Sequence, residues 1–158
     1  MNNILRKTIV FISIFVLTSC SYEPIFVERD YNFKIKEVLL AGDKDINRIV
    51  NNNLKFIKNS ESKKNKNFII EIDSSKKREI VSKNSKGDPL KFKMIIKVKY
   101  KVLNNNSLEI NNTIEKSNIY NNESDKFELE KNEGIILDNL ARGISDNIIS
   151  SIINLDDN

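Results

Sequence analysis

The chain has no histidine, no tryptophan and a single cysteine among its 158 residues. Each absence removes a class of chemistry. Without histidine there is no Ser-His-Asp or Cys-His nucleophile, and no metal site built from His and Cys ligands. The glycines at 42, 87, 134 and 143 are scattered, so no glycine-rich loop is available to cradle a phosphate. The acid pairs Asp43/Asp45 and Asp156/Asp157 fall at expected element ends, where helix capping or solvation accounts for them. No catalytic residue, metal or cofactor is expected, and the chain reads as a non-enzyme. Repeats and inter-domain linkers are also lacking. The abundant Asn, Ile and Lys run the whole length and read as codon bias.

A strong charge of one sign is missing too. Lys and Arg number 26 against 22 Asp and Glu, a net charge of +4. Of the basic residues, Arg6 and Lys7 lie in a leader without acids, so the remainder is near +2 (24 minus 22). That balance does not call for a nucleic acid, and none is expected as a partner.

What is present begins with that leader. Arg6 and Lys7 precede an apolar run from Thr8 to Leu17. As a helix the run covers roughly 15 Å, about half a bilayer core, too short for a permanent membrane span. It matches a signal peptide with a charged start, a short apolar centre and small residues at the cut. The cut site Leu17-Thr18-Ser19-Cys20 is a lipobox: an aliphatic residue, two small ones, then the thiol that takes a diacylglyceryl group. Cys20 has no disulfide partner in the chain, and lipidation would consume a thiol otherwise free in an oxidising compartment. Two or more acyl chains hold a protein stably on a membrane. Ser21, rather than Asp, follows the cysteine; by the usual sorting rule this favours the outer membrane, on its periplasmic side. The expected organisation is a signal peptide over 1–19, a lipidated tether over 20–30, and one domain over 31–158.

Periodicity supplies the elements of that domain. Phe33, Ile35 and Val38 predict a first strand within Tyr31–Leu40, broken by Gly42. Asp43 or Asp45 then caps a helix to about Lys58, with Ile46, Ile49, Val50, Leu54 and Ile57 on one face. Ser60–Asn67 reads as a polar loop. Phe68, Ile70 and Ile72 start a second strand that breaks at Lys76-Lys77-Arg78 and resumes over Glu79–Lys83. Asn84–Pro89 reads as a turn. From Leu90 to Leu103, Phe92, Met94, Ile96, Val98, Tyr100 and Val102 alternate with mostly lysine positions, a strand with one buried and one charged face. Asn104–Asn106 predicts a hairpin turn. Leu108, Ile110, Asn112, Ile114 and Tyr120 mark a fourth strand. Ser124 or Asp125 caps a final helix, Lys126–Ile153, whose Ile136, Leu140, Ile144, Ile148 and Ile152 step by four. The expected fold is α+β: a two-layer sandwich of a four-stranded mixed sheet with two amphipathic helices on one face, in the order β-α-β-β-β-α. Strands two to four form an antiparallel meander, and the first pairs in parallel through its helical crossover.

Cys20-Ser21-Tyr22-Glu23-Pro24-Ile25-Phe26, the element order, and the acid-rich start of a long amphipathic final helix together resemble the lipopolysaccharide-assembly lipoprotein family LptE. Ser21 stands where that family carries Gly, and the final helix is richer in Ile and Asn than its Ala-rich counterpart. The resemblance implies an outer-membrane lipoprotein that sits inside the LptD β-barrel, aids insertion of lipopolysaccharide at the cell surface, and contacts that glycolipid. A different role is an envelope lipoprotein that holds a lipid or small ligand for a transporter, in a cavity between helices and sheet.

The residues proposed for phosphate contact are Lys91, Lys93, Lys97, Lys99 and Lys101, with Lys76, Lys77 and Arg78 nearby. On one strand face, neighbours two residues apart stand ~6.6 Å from each other. Such a row offers point charges to lipid A phosphates or to acids lining a barrel. As a plain solvated face, it would instead deter edge-to-edge aggregation.

Overall fold

The computed structural model describes residues 33–58 and 66–156. The leader, Cys20 and the tether lie outside them. Four strands and two helices follow in the expected order: β1 (Phe33–Gly42), α1 (Lys44–Lys58), β2 (Lys66–Lys83), β3 (Pro89–Asn104), β4 (Ser107–Asn121) and α2 (Lys126–Asp156). The sheet order is β1-β2-β3-β4. β1 pairs with β2 in parallel, and β2, β3 and β4 form an antiparallel meander.

β1 shows how local chemistry sets the layout. Its inward residues are spaced two apart and then three, Phe33, Ile35 and Val38, because a bulge falls between Ile35 and Glu37. Gly42 ends the strand at φ +91, a conformation that L side chains avoid. Asp43 follows, and its Oδ1 accepts the backbone N–H of Asp45 at 3.0 Å and of Ile46 at 3.1 Å. Asp43, not Asp45, therefore caps α1. Ile46, Ile49, Val50 and Leu54 then turn one face of α1 onto the sheet. Ile57, expected on that face, lies outside the described side chains.

β2 differs from expectation. It is one strand of 18 residues, with no break at its basic tract. Lys76, Lys77 and Arg78 pair with Ile96, Ile95 and Met94, so the long alternating β3 carries β2 through. In β3 itself, Phe92, Met94, Ile96, Val98, Tyr100 and Val102 are all buried beneath the helices. Asn105 (φ 48) and Asn106 (φ 68) close the β3–β4 hairpin, both at positive φ, which Asn tolerates. A register shift after Val102 then sets Leu108 opposite Leu103. This moves Leu108 out of the inward series of Ile110 and Ile114, and it is exposed.

Asp125 caps α2, its Oδ1 accepting the N–H of Phe127 at 2.8 Å. The i, i+4 stripe of Ile144, Ile148 and Ile152 is fully buried against the sheet. Each such side chain contributes ~1.5–3 kcal/mol of transfer free energy. Two inward polar residues are satisfied within the layer. Ser74 Oγ donates to Asn47 Oδ1 at 2.8 Å, and Asn47 Nδ2 donates to the Ala41 carbonyl at 3.0 Å. The sheet's other face carries neither helix.

Candidate interaction surface

That open face holds the lysine row, and the strand register shows what stands beside each member. Lys101 lies between Glu71 and Asn111, and Lys99 between Asp73 and Thr113. Lys97 lies between Ser75 and Glu115, and Lys93 between Glu79 and Ile119. Lys91 faces Ser82 and Asn121 and has no acid directly opposite. Cross-strand neighbours share a face at ~5 Å, so four of the five lysines stand beside a carboxylate. Lys101 Nζ reaches Glu71 Oε2 at 3.5 Å. Such exposed pairs are each worth little in stability. Their effect is on the field: the face is a lattice of both signs and not a uniform cationic strip. A shallow groove of about 420 Å³ crosses it beside β1, lined by Leu39, Ala41, Glu71, Asp73, Lys99 and Lys101 among others.

The basic tract divides between the two faces. Lys77 joins the open one, where its Nζ meets Glu79 Oε1 at 2.7 Å. That hydrogen bond and the attraction behind it raise the Lys77 pKa and lower that of Glu79. Lys76 and Arg78 point the other way. Lys76 Nζ lies 3.6 Å from Asp43 Oδ2. Arg78 Nη1 donates to Glu133 Oε1 at 3.0 Å, and its guanidinium sits 4.7 Å above the centre of the Phe92 ring. The hydrogen bond to Glu133 raises the Arg78 pKa further above its ordinary value. Glu133 also accepts the Tyr120 hydroxyl at 2.6 Å. Burial, reinforced by that bond, pushes the Tyr120 phenol well above its usual range. Lys76 and Arg78 therefore brace the helix layer and cannot extend the open-face row.

Among the described residues no group of three or more His, Cys, Asp or Glu could hold a metal ion, and no helix is long and apolar enough to cross a membrane. Beneath the packed length of α2 the space between helix and sheet is filled, with Ile96, Ile144 and Ile148 fully buried. Toward the start of α2 a cleft of about 420 Å³ opens, lined by Asp45, Met94 and Leu137 among others.

Solved structures share this architecture. Rare lipoprotein B from Shewanella oneidensis matches with a TM-score of 0.53 at 18% identity, over 75% of this chain and 98% of that one. A minor lipoprotein from Acinetobacter baumannii matches at 0.52 and 15%, over 77% and 96%. Lipoprotein B from Nitrosomonas europaea matches at 0.56 and 15%, over 83% and 91%. The chain has the fold of these lipoproteins. At such identities the likeness is one of fold. No protein-family model matches the sequence, and no curated protein matches it.

Reading the sequence alone missed the residues that give the open face its character: Glu71, Asp73, Glu79 and Glu115. Their signal is present only as acids at the same strand parity as the lysines, and it becomes legible once the register is known. Glu133 and Tyr120 were equally hidden, since nothing local in the chain links them to Arg78.

Proposed function

We propose that this chain is an outer-membrane lipoprotein, lipidated on Cys20, whose domain partners an LptD-type β-barrel in the assembly of lipopolysaccharide at the cell surface. The observation that carries this reading is a fold shared with solved lipoproteins, in a chain that also bears a lipobox at Leu17–Cys20. The open sheet face supports it. Barrel interiors are polar, and a surface of interleaved charges gains specificity and orientation against a polar wall more than raw affinity. The role is non-enzymatic and needs no cofactor. Within it, the open-face lysines contact phosphates of lipopolysaccharide, with Lys91 and Lys97 the least compensated by neighbours on β2. The ligand-carrier role would need a cavity between helices and sheet. Beneath the packed length of α2 that space is occupied by side chains, and the cleft at the start of α2 is lined mostly by charged residues, which suits a lipid chain poorly.

The test is a pull-down of the tagged full chain from outer membranes in mild detergent. Co-purification of a large β-barrel is the expected result. Recovery of the chain free of any barrel overturns the partner. Cys20→Ser separates the anchor from the partnership: unchanged membrane retention of that variant would remove the proposed lipidation.

A further inference from the structure

α2 is buried unevenly along its length. No residue from Lys126 to Gly134 is buried, and only Leu129, Asn132 and Glu133 are partly covered. Beyond them Ile136, Leu137, Ala141, Ile144, Ile148 and Ile152 are buried in succession. The change falls at Gly134. A glycine inside a helix loosens it relative to alanine, and here packing gives no reason for one: a Cβ at Gly134 would meet nothing within 4 Å. Gly143 is different, since a Cβ there would meet the Lys116 side chain at 3.0 Å.

Two side chains tie the exposed turns down: Leu129, half-buried against the core, and Glu133. Glu133 accepts the Tyr120 hydroxyl at 2.6 Å and Arg78 Nη1 at 3.0 Å. Between the segment and the start of α1 a cleft of about 420 Å³, lined by Asp45, Lys76, Met94 and Leu137 among others, leaves that side of the segment open. The Asp125 cap and the helix's own hydrogen bonds travel with the segment, so it can move as a short rigid rod.

We infer that Lys126–Glu133 is a flap hinged at Gly134 and latched shut by Glu133, able to open while the rest of α2 stays packed. Opening breaks the latch bonds, frees the Arg78 guanidinium, and bares the Phe92–Tyr120 pair, whose rings lie 5.8 Å apart.

Thiol labelling under native conditions reads the opening directly. In a Cys20→Ser background each probe is the chain's single thiol. Met94→Cys places it in the cleft wall beside the flap, and Val98→Cys beneath the packed length of α2. Met94→Cys is expected to label about tenfold faster or more than Val98→Cys, as for a region of low local stability. Gly134→Ala should slow labelling of Met94→Cys about fivefold by stiffening the hinge. Glu133→Gln should speed it about fivefold by weakening the latch. Neither should move Val98→Cys. Equal labelling of the two probes, or changes shared equally by both, would show that Gly134 and Glu133 serve only the stability of the whole domain and would overturn the flap.

Discussion

Gly42 is where the backbone of β1 turns away from β2, and replacing it should be unusually costly. In Gly42→Ala the new Cβ would sit 1.9 Å from the Ser74 carbonyl oxygen and 2.8 Å from the Ser74 carbonyl carbon and nitrogen. These are backbone atoms of the neighbouring strand, so no side chain can swing aside. Positive φ alone costs a non-glycine residue ~1–2 kcal/mol. The strand end must then separate, which breaks the hydrogen bond from the Asp43 N–H to the Ser74 carbonyl at 3.0 Å. It also disturbs the buried Ser74–Asn47 pair. A lost hydrogen bond costs ~1 kcal/mol, and a buried polar group left unpaired costs ~1–3. The total is about 3–6 kcal/mol, a large part of the ~5–15 kcal/mol that holds a domain folded. Gly87→Ala is the control. Gly87 has the same φ of +91, but a Cβ there meets nothing within 4 Å, so only the ~1–2 kcal/mol of strain applies. Urea unfolding followed by circular dichroism compares them. At a slope of about 1.5 kcal/mol per molar, the midpoints should fall by about 2–4 M and about 1 M. Equal shifts would refute the argument from close approach.

Ile144→Ala removes a fully buried side chain from the middle of the α2 stripe and should destabilise by ~2–5 kcal/mol in the same assay. A loss under 1 kcal/mol would mean that the helix layer is loosely packed. The Lys77–Glu79 pair should leave small traces in stability against pH. The lowered Glu79 pKa contributes stability present above its ordinary value of 4.5 and lost as the pH falls through the folded value. The raised Lys77 pKa contributes stability present below 10.5 and lost as the pH rises through the folded value. Glu79→Gln should flatten the acid limb, and an identical profile would exclude the pair as its source. Lys91, Lys93 and Lys97 changed together to Gln should weaken lipopolysaccharide binding at low salt and reduce its salt dependence; unchanged affinity would remove the phosphate-contact reading.

The elements themselves were legible because burial forces periodicity. β3 alternates from Phe92 to Val102 with Ile95 as the one apolar residue at an outward position, and α2 steps by four from Ile136 to Ile152; the structure buries both inward runs apart from Leu140, which is only partly covered. The parallel β1–β2 pair followed from the helix between them, since a parallel neighbour needs a crossover. What stayed hidden depended on register. The cationic tract of β2 looks like a strand breaker until it is laid against Met94–Ile96. Which of its side chains meet Asp43 and Glu133 depends on contacts 33 and 55 positions away in the chain, respectively. Leu108 shows the same limit from the opposite side: a single bulge changes its face, and no local pattern announces bulges. The open face was read as cationic because lysines recur along one strand. Its acids come from two other strands, and only pairing brings them beside the row.

β1 pairs with β2 only as far as Ser74. Ser75–Lys83 continues for ~30 Å at 3.3 Å per residue with no strand on that side. The sheet is therefore a wedge, four strands wide where the chain enters at Phe33 and three strands wide at the β2–β3 turn. Those two places lie at opposite ends of its long axis, ~55–60 Å apart by the same rise. The narrow tip thus lies farther from Phe33, where the chain enters the domain, than the ~30 Å depth of a bilayer's hydrocarbon core. If the chain is anchored at Cys20 as proposed, its two ends stand at different distances from the point of attachment along the chain and meet different surroundings.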